Sequence, residues 1–175
     1  MILRILVSIA VAVVAVLAFA LTKPNTFHVE RSIHIAAPPE RIFALVDNFH
    51  NWNRWAPQDR EDLTMDRTYS GATNGEGAIS QWTSKGSAGR GRMEITESIL
   101  PGTISIKVDF VKPFEAHNIN RFTLEPAGAT TRVVWKMEGT NLYLMKVMSV
   151  FVSMDRIAGK HFESGLKNLK AIAEQ

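Results

Sequence analysis

The sequence predicts an α+β domain, a curved antiparallel sheet gripping a long C-terminal helix, behind an N-terminal transmembrane helix. Three observations predict it. Residues 5–21 carry no charge, residues 63–138 alternate apolar and polar side chains between Gly- and Pro-bearing turns, and apolar residues from Asp155 onward recur at helical spacing. At 175 residues, with 46% apolar and 21% charged, the chain suits one globular domain and is short for two.

The apolar span runs from Ile5 to Leu21, with Ser8 its only hydroxyl. As a helix it rises roughly 25 Å, close to a bilayer core with help from the flanks. A cleaved signal peptide would use Ala18-Phe19-Ala20 as its small-x-small site. A retained anchor would keep the whole run, and its length beyond a usual signal core favours the anchor. The expected organisation is an anchor over 1–22, a linker over 23–26 and a domain over 27–175. Arg4 ahead of the span keeps the N-terminus cytoplasmic and puts the domain outside, although Lys23 on the far side weakens that asymmetry. The tether from Thr22 to Thr26 reaches less than roughly 17 Å, so a retained anchor holds the domain against the bilayer.

The elements follow in order. Residues 27–35 alternate as a half-buried strand, with Arg31 interrupting the apolar side. Pro38-Pro39 opens a helix over 40–46. The segment 47–57 is short and aromatic, with Trp52 and Trp55. Strand-like runs then carry Leu63, Met65 and Tyr69; 78–83 with Trp82; and 90–100 with Met93, Ile95 and Ile99 on one face. Residues 103–110, 115–125 and 132–138 alternate with Phe110, Asn118, Asn120, Phe122, Trp135 and Met137 among their inward positions. Turns at 71–77, 85–89, 101–102 and 126–128 make this an antiparallel meander. The remainder is one helical stretch: 141–154 is apolar nearly all round, and 155–174 is amphipathic with Ala158, Phe162, Leu166 and Leu169 on its apolar side. Gly159 and Gly165 within it imply a close approach to the sheet. One helix cannot cover so large a sheet tightly, so curvature leaves a space between them.

Composition removes some functions. Of 20 Lys and Arg, Arg4 and Lys23 lie in residues 1–25, leaving 18 against 17 acids, which gives little drive toward a phosphate backbone. No nucleic acid partner is expected. The absence of Cys removes disulfides, thiol nucleophiles and thiolate metal sites. His spacing fits no metal motif, there is no GxSxG, and the Gly71–Gly77 stretch lacks the GK[ST] of a phosphate loop. No metal or cofactor is expected.

The run Val29-Glu-Arg-Ser-Ile-His-Ile-Ala-Ala-Pro-Pro-Glu40, with Ile42-Phe43 and the pair Trp52 and Trp55, resembles the opening of the START-like superfamily, also called SRPBCC or Bet v 1-like. The resemblance continues through Gly91-Arg-Met-Glu-Ile-Thr-Glu97, Lys112-Pro113-Phe114, Trp135-Lys-Met-Glu-Gly139 and Gly159 to Lys170. It covers nearly all of 27–174 and is nearest the branch named polyketide cyclase/dehydratase-like. It implies a helix-grip fold around a hydrophobic cavity for lipids, sterols, polyketides or other apolar ligands. It does not imply one activity.

A hydrophobic small molecule or lipid, and the membrane, are therefore the expected partners. Trp82, Met93, Phe110, Phe122, Trp135, Met137 and Phe162 are candidates for the pocket wall, against the alternative that each simply fills the core. Arg31, Arg67, Asn118 and Asn120 share the inward parity; a ligand carbonyl or an internal partner would satisfy them. Trp52 and Trp55 either gate the mouth or pack the short helices. Met145 and Met148 belong to a soft apolar segment fit for a lid, a lipid-dipping surface or plain burial. An enzyme of the cyclase or dehydratase type would use Arg67, Asn118 and His117, though His117 has outward parity. An envelope interaction protein that binds a partner through 141–154 is the third reading.

Overall fold

A computed structural model describes every residue except Ser87 and Val152, and the backbone alone at Arg60 and Glu61. Those residues of the expected 85–89 turn and 141–154 segment lie outside the described residues.

The chain opens with α1 (Ile2–Leu21), the one helix among the described residues long and apolar enough to cross a membrane. β1 (Thr26–Ile35) follows, then α2 (Pro39–Val46), a 3-10 turn at Phe49–Asn51, and the short helices α3 (Trp52–Trp55) and α4 (Pro57–Glu61). Six more strands follow: β2 (Asp66–Gly71), β3 (Ala78–Thr83), β4 (Arg90–Ile99), β5 (Thr103–Lys112), β6 (Ala116–Ala127) and β7 (Thr130–Thr140). α5 (Tyr143–Ser149) and α6 (Met154–Ala173) close the chain.

All neighbours in the seven-stranded sheet β1-β7-β6-β5-β4-β3-β2 pair antiparallel. The register gives it two ends. Thr26 faces Thr140, Asn118 faces both Gly139 and Val108, and Val108 faces Met93. The start of β1, the exit of β7 and the β3–β4 and β5–β6 turns therefore share one end, here the stem end. Ile35 and the β2–β3, β4–β5 and β6–β7 turns share the other.

The concave face carries α2 to α4 and α6. Arg31, the polar residue on the apolar side of β1, reaches α6: its guanidinium lies 2.8 Å from both Asp155 and Glu163. The Asp155 hydrogen bond, followed by that of Glu163, raises its pKa further above the ordinary Arg value. Gly159 sits at this crossing, where a Cβ would come 2.0 Å from the guanidinium. Trp52 and Trp55 pin α3 to α2, their indole N–H groups donating to Val46 O at 2.9 Å and Leu45 O at 3.1 Å.

Three expectations need correction. The strand after Leu63 begins only at Asp66, and Leu63 is exposed. Ile99 is exposed, because a register shift between Ile95 and Glu97 flips the parity beyond it. The C-terminal stretch is two helices rather than one, α6 restarting where the Ser153 side chain accepts from the Arg156 N–H at 3.3 Å.

The core divides with the sheet. Toward the far end it is solid, with Ile35, Leu124, Val133 and Leu169 buried together. Toward the stem end it is hollow.

Candidate functional site

The hollow half is a cavity of about 770 Å³. Strand alternation builds its sheet wall: Met93 from β4, Phe110 from β5, Asn118 and Asn120 from β6, Trp135 and Met137 from β7. Met154, Ile157, Ala158, His161 and Phe162 line it from one face of α6 at three- and four-residue spacing, and Met145 lines it from α5. Trp135 and Phe162 stack with centroids 4.0 Å apart and planes 8° apart, joining sheet to helix at the solid boundary. Gly165 permits that stack, since a Cβ there would come 2.8 Å from the Trp135 ring.

The charged groups on the wall have protein partners. Arg67 forms an ion pair with Asp59, a second contact running from its Nη2 to Oδ2 at 3.0 Å, and donates to Ser80 Oγ at 3.0 Å. Both members of the pair are largely buried. Hydrogen bonds from Ser84 and then Thr64 hold the Asp62 carboxyl below its ordinary value. Arg67 is thus committed to Asp59 and does not offer a bare cation to a ligand.

The uncharged polar groups differ. Asn118 and Asn120 are each 7% exposed and Trp135 4%. Their Oδ1 and Nε1 atoms have no hydrogen-bond partner among the described residues. Asn118 Oδ1 rests against Gly139, where a Cβ would lie only 2.0 Å away. Each such buried group costs about 1–3 kcal/mol if it stays unpaired. They cluster on β6 and β7, where Asn120 faces Met137 and Phe122 faces Trp135.

Of the residues singled out in the sequence, Arg67, Met93, Phe110, Asn118, Asn120, Trp135, Met137 and Phe162 line the cavity, as do Trp52 and Met145. Four lie elsewhere. Phe122 is fully buried among Trp52, Trp55 and Trp135. Trp82 turns toward Gly91 and Phe110 and donates to Ala88 O at 3.0 Å. Trp55 is fully buried and packs α3, so it does not gate the mouth. Met148 is exposed and off the wall. His117 stands outside, 2.6 Å from Asp109 on the convex face. Phe27, Asp62, Ile157 and His161 are among the lining residues missed from the sequence; the last two lie on the α6 face already marked by Ala158 and Phe162, and Met154, at the end of the soft apolar segment expected to cover a ligand, lies on that face too.

A family model described as polyketide cyclase / dehydrase and lipid transport matches residues 26–174. The chain belongs to this family. No curated protein matches the sequence. Solved structures similar to this family member include major latex-like protein 151 from Panax ginseng, 14% identical with a TM-score of 0.66, covering 87% of this chain and 100% of that one. A protein of Chromobacterium violaceum is 17% identical with a TM-score of 0.60, covering 87% and 99%. The Aha1 dimer from Colwellia psychrerythraea is 18% identical with a TM-score of 0.56, covering 85% and 96%. At these identities the likeness concerns the fold, a helix-grip sheet around a C-terminal helix. The polyketide cyclase/dehydrase and lipid transport family spans catalysts and carriers, so the wall chemistry has to separate them.

Proposed function

We propose that this family member is a membrane-tethered binding protein that holds one hydrophobic small molecule or lipid in the cavity. The observation carrying this reading is the cavity itself: about 770 Å³, largely apolar, with its charged Arg67 and Asp62 already partnered. Small-molecule sites run roughly 300–1,000 Å³. Each buried CH₂ contributes about 0.8 kcal/mol, so a sixteen-carbon chain gains roughly 13 kcal/mol gross before association costs. Asn118, Asn120 and Trp135 would orient a polar end. α1 serves as the anchor, and Arg4 ahead of it puts the domain on the outer side of the membrane.

The cyclase or dehydratase alternative has less behind it. Arg67 is held by Asp59, and His117 lies on the opposite face of the sheet from Asn118. Arg67 and His117 therefore do not fill the roles that version gave them, and the other titratable side chains on the wall are Asp62, bonded to Ser84 and Thr64, and His161 of α6.

The test is native mass spectrometry of the full chain purified in mild detergent, followed by titration with the apolar dye N-phenylnaphthylamine. A bound apolar mass, displaced by the dye, is expected. Met137→Trp, which narrows the cavity from its sheet wall, should weaken dye uptake while keeping the circular dichroism of the fold. A chain that carries no such mass and takes up no dye would sink the reading.

A further inference from the structure

We infer that α5 lies in the headgroup layer of the bilayer and that the cavity mouth opens onto lipid, so the ligand is an amphiphile drawn from the same leaflet. This rests on the tethered-carrier reading and adds the entry route and the source of the ligand.

The first observation is where the mouth lies. The exposed residues of the cavity wall are Gln58, Gly86, Pro113, Phe114 and Ile157. Gly86 is on the β3–β4 turn, Pro113 and Phe114 are on the β5–β6 turn, and Ile157 is in the first turn of α6, reached from β7 through α5. The mouth therefore sits at the stem end, where α1 joins β1.

The second is depth. The Tyr143 hydroxyl donates to Leu17 O at 3.0 Å, and Ala20 of α1 is fully buried. α5 is thus packed on the last turns of α1 and reaches a residue four positions before its end, about 6 Å along the axis. A helix of this length matches the roughly 30 Å hydrocarbon core. With α1 spanning, the α5 residue that touches Leu17 stands at the edge of that core and not in bulk water.

The third is the surface of α5. Its one cation, Lys146, is 9% exposed and points inward to Asn25 Oδ1. Leu144, Met148 and, just past the helix, Phe151 (71% exposed) face outward. A water-facing helix turns its charge out and its apolar residues in; this one does the reverse. Met145 on the same helix lines the cavity. One short helix therefore connects the anchor, the exposed apolar surface and the cavity.

The chain has no Cys, so single-Cys probes are direct. Met148→Cys and Phe151→Cys report α5; Leu100→Cys, exposed on the β4–β5 turn at the far end, is the control. Each full-length variant is labelled with bimane and reconstituted into vesicles of phosphatidylcholine and phosphatidylglycerol. At 148 and 151 the probe should be quenched by nitroxide-bearing lipid and shielded from aqueous iodide about tenfold relative to 100, as for an interfacial helix. Equal iodide quenching at all three positions overturns the inference. So does shielding without lipid quenching, which would mean that a protein or a second copy covers α5. Carbonate extraction of the same vesicles separates the failures: a chain that washes off lacks the anchor, whereas one that stays with α5 in water keeps the anchor and loses only this proposal. The Met148→Glu/Phe151→Glu variant should stay anchored and folded, yet lose uptake of a fluorescent phospholipid from the vesicle. Undiminished uptake would overturn the route.

Discussion

Asn118 and Asn120 carry the sharpest consequences at the scale of single residues. A carboxamide buried without a partner is a cost in the empty protein and an asset once a ligand supplies the partner. Replacing both with Leu should raise the unfolding free energy of the ligand-free chain by about 1 kcal/mol or more, read as a higher urea midpoint. The same variant should bind a long-chain alcohol no better than the matching alkane, where the native chain prefers the alcohol about tenfold. A variant that unfolds more easily, or keeps the preference, removes the orienting role. His117 offers a pH test. Its hydrogen bond to Asp109, 2.6 Å long, lifts the imidazole above its ordinary 6.5. Burial pushes Asp109 up, but hydrogen bonds from His117 and Lys107 outweigh it and the carboxyl ends below 3.8. The raised His value stabilises the fold below pH 6.5 and that contribution fades as pH climbs through the folded His value. The lowered Asp value stabilises above 3.8 and fades as pH falls through the folded Asp value. NMR titration of His117 should therefore show a raised midpoint that returns toward 6.5 in Asp109→Asn. The inward set on β6 was legible from alternation alone, but its meaning was not. Asn120 and Phe122 share a face, yet one meets the cavity and the other meets Trp52, Trp55 and Trp135. Period-two spacing gives the face of a residue and says nothing about its depth along the strand.

At the scale of elements, two glycines set how closely sheet and helix approach. Ala is the better helix former by about 1 kcal/mol, so Gly165→Ala would stabilise an isolated α6. In the folded chain the new methyl would lie 2.8 Å from the Trp135 ring and 3.2 Å from Pro57. Both neighbours are rigid, and the Trp135 ring is held by its stack on Phe162. Net destabilisation is expected, read as a lower melting temperature, with weaker dye binding because the wall shifts. Gly91→Ala should cost more, since its Cβ would meet Trp82 at 2.3 Å and the Asp109 carbonyl at 2.6 Å. The close approach at Gly159 and Gly165 was readable in advance, because glycines inside an amphipathic helix demand a reason. The bulge that turns Ile99 outward was not, since no local composition marks it. The gap between α5 and α6 escaped as well. Apolar residues run through 141–154 without a proline or glycine, and the break follows from the Ser153 cap and the need for α5 to lie on α1.

For the molecule as a whole, the solid and hollow halves of one core predict unequal stability. Amides of β6 and β7 flanking Leu124 and Val133 should exchange slowly in every state. Those near Asn118, Met137 and the β5–β6 turn should exchange faster and gain protection when an apolar ligand is added. Uniform protection in the empty chain would contradict a hollow stem end. The helix-grip architecture itself was legible from element order, because an antiparallel meander followed by a single amphipathic helix leaves few other ways to bury both faces. That the cavity would open at the end where α1 joins β1 was not legible; it depends on strand register. The junction at Thr22 to Asn25 has a mechanical meaning too. It runs straight into β1, a strand paired along ten positions with β7 and riveted through Arg31 to α6. With α1 in a bilayer, the domain is a bud on a stiff stem rather than a float on a leash. Whatever arrives from solution then meets the far hairpins and the convex face of the sheet, where His117 and Arg121 are exposed.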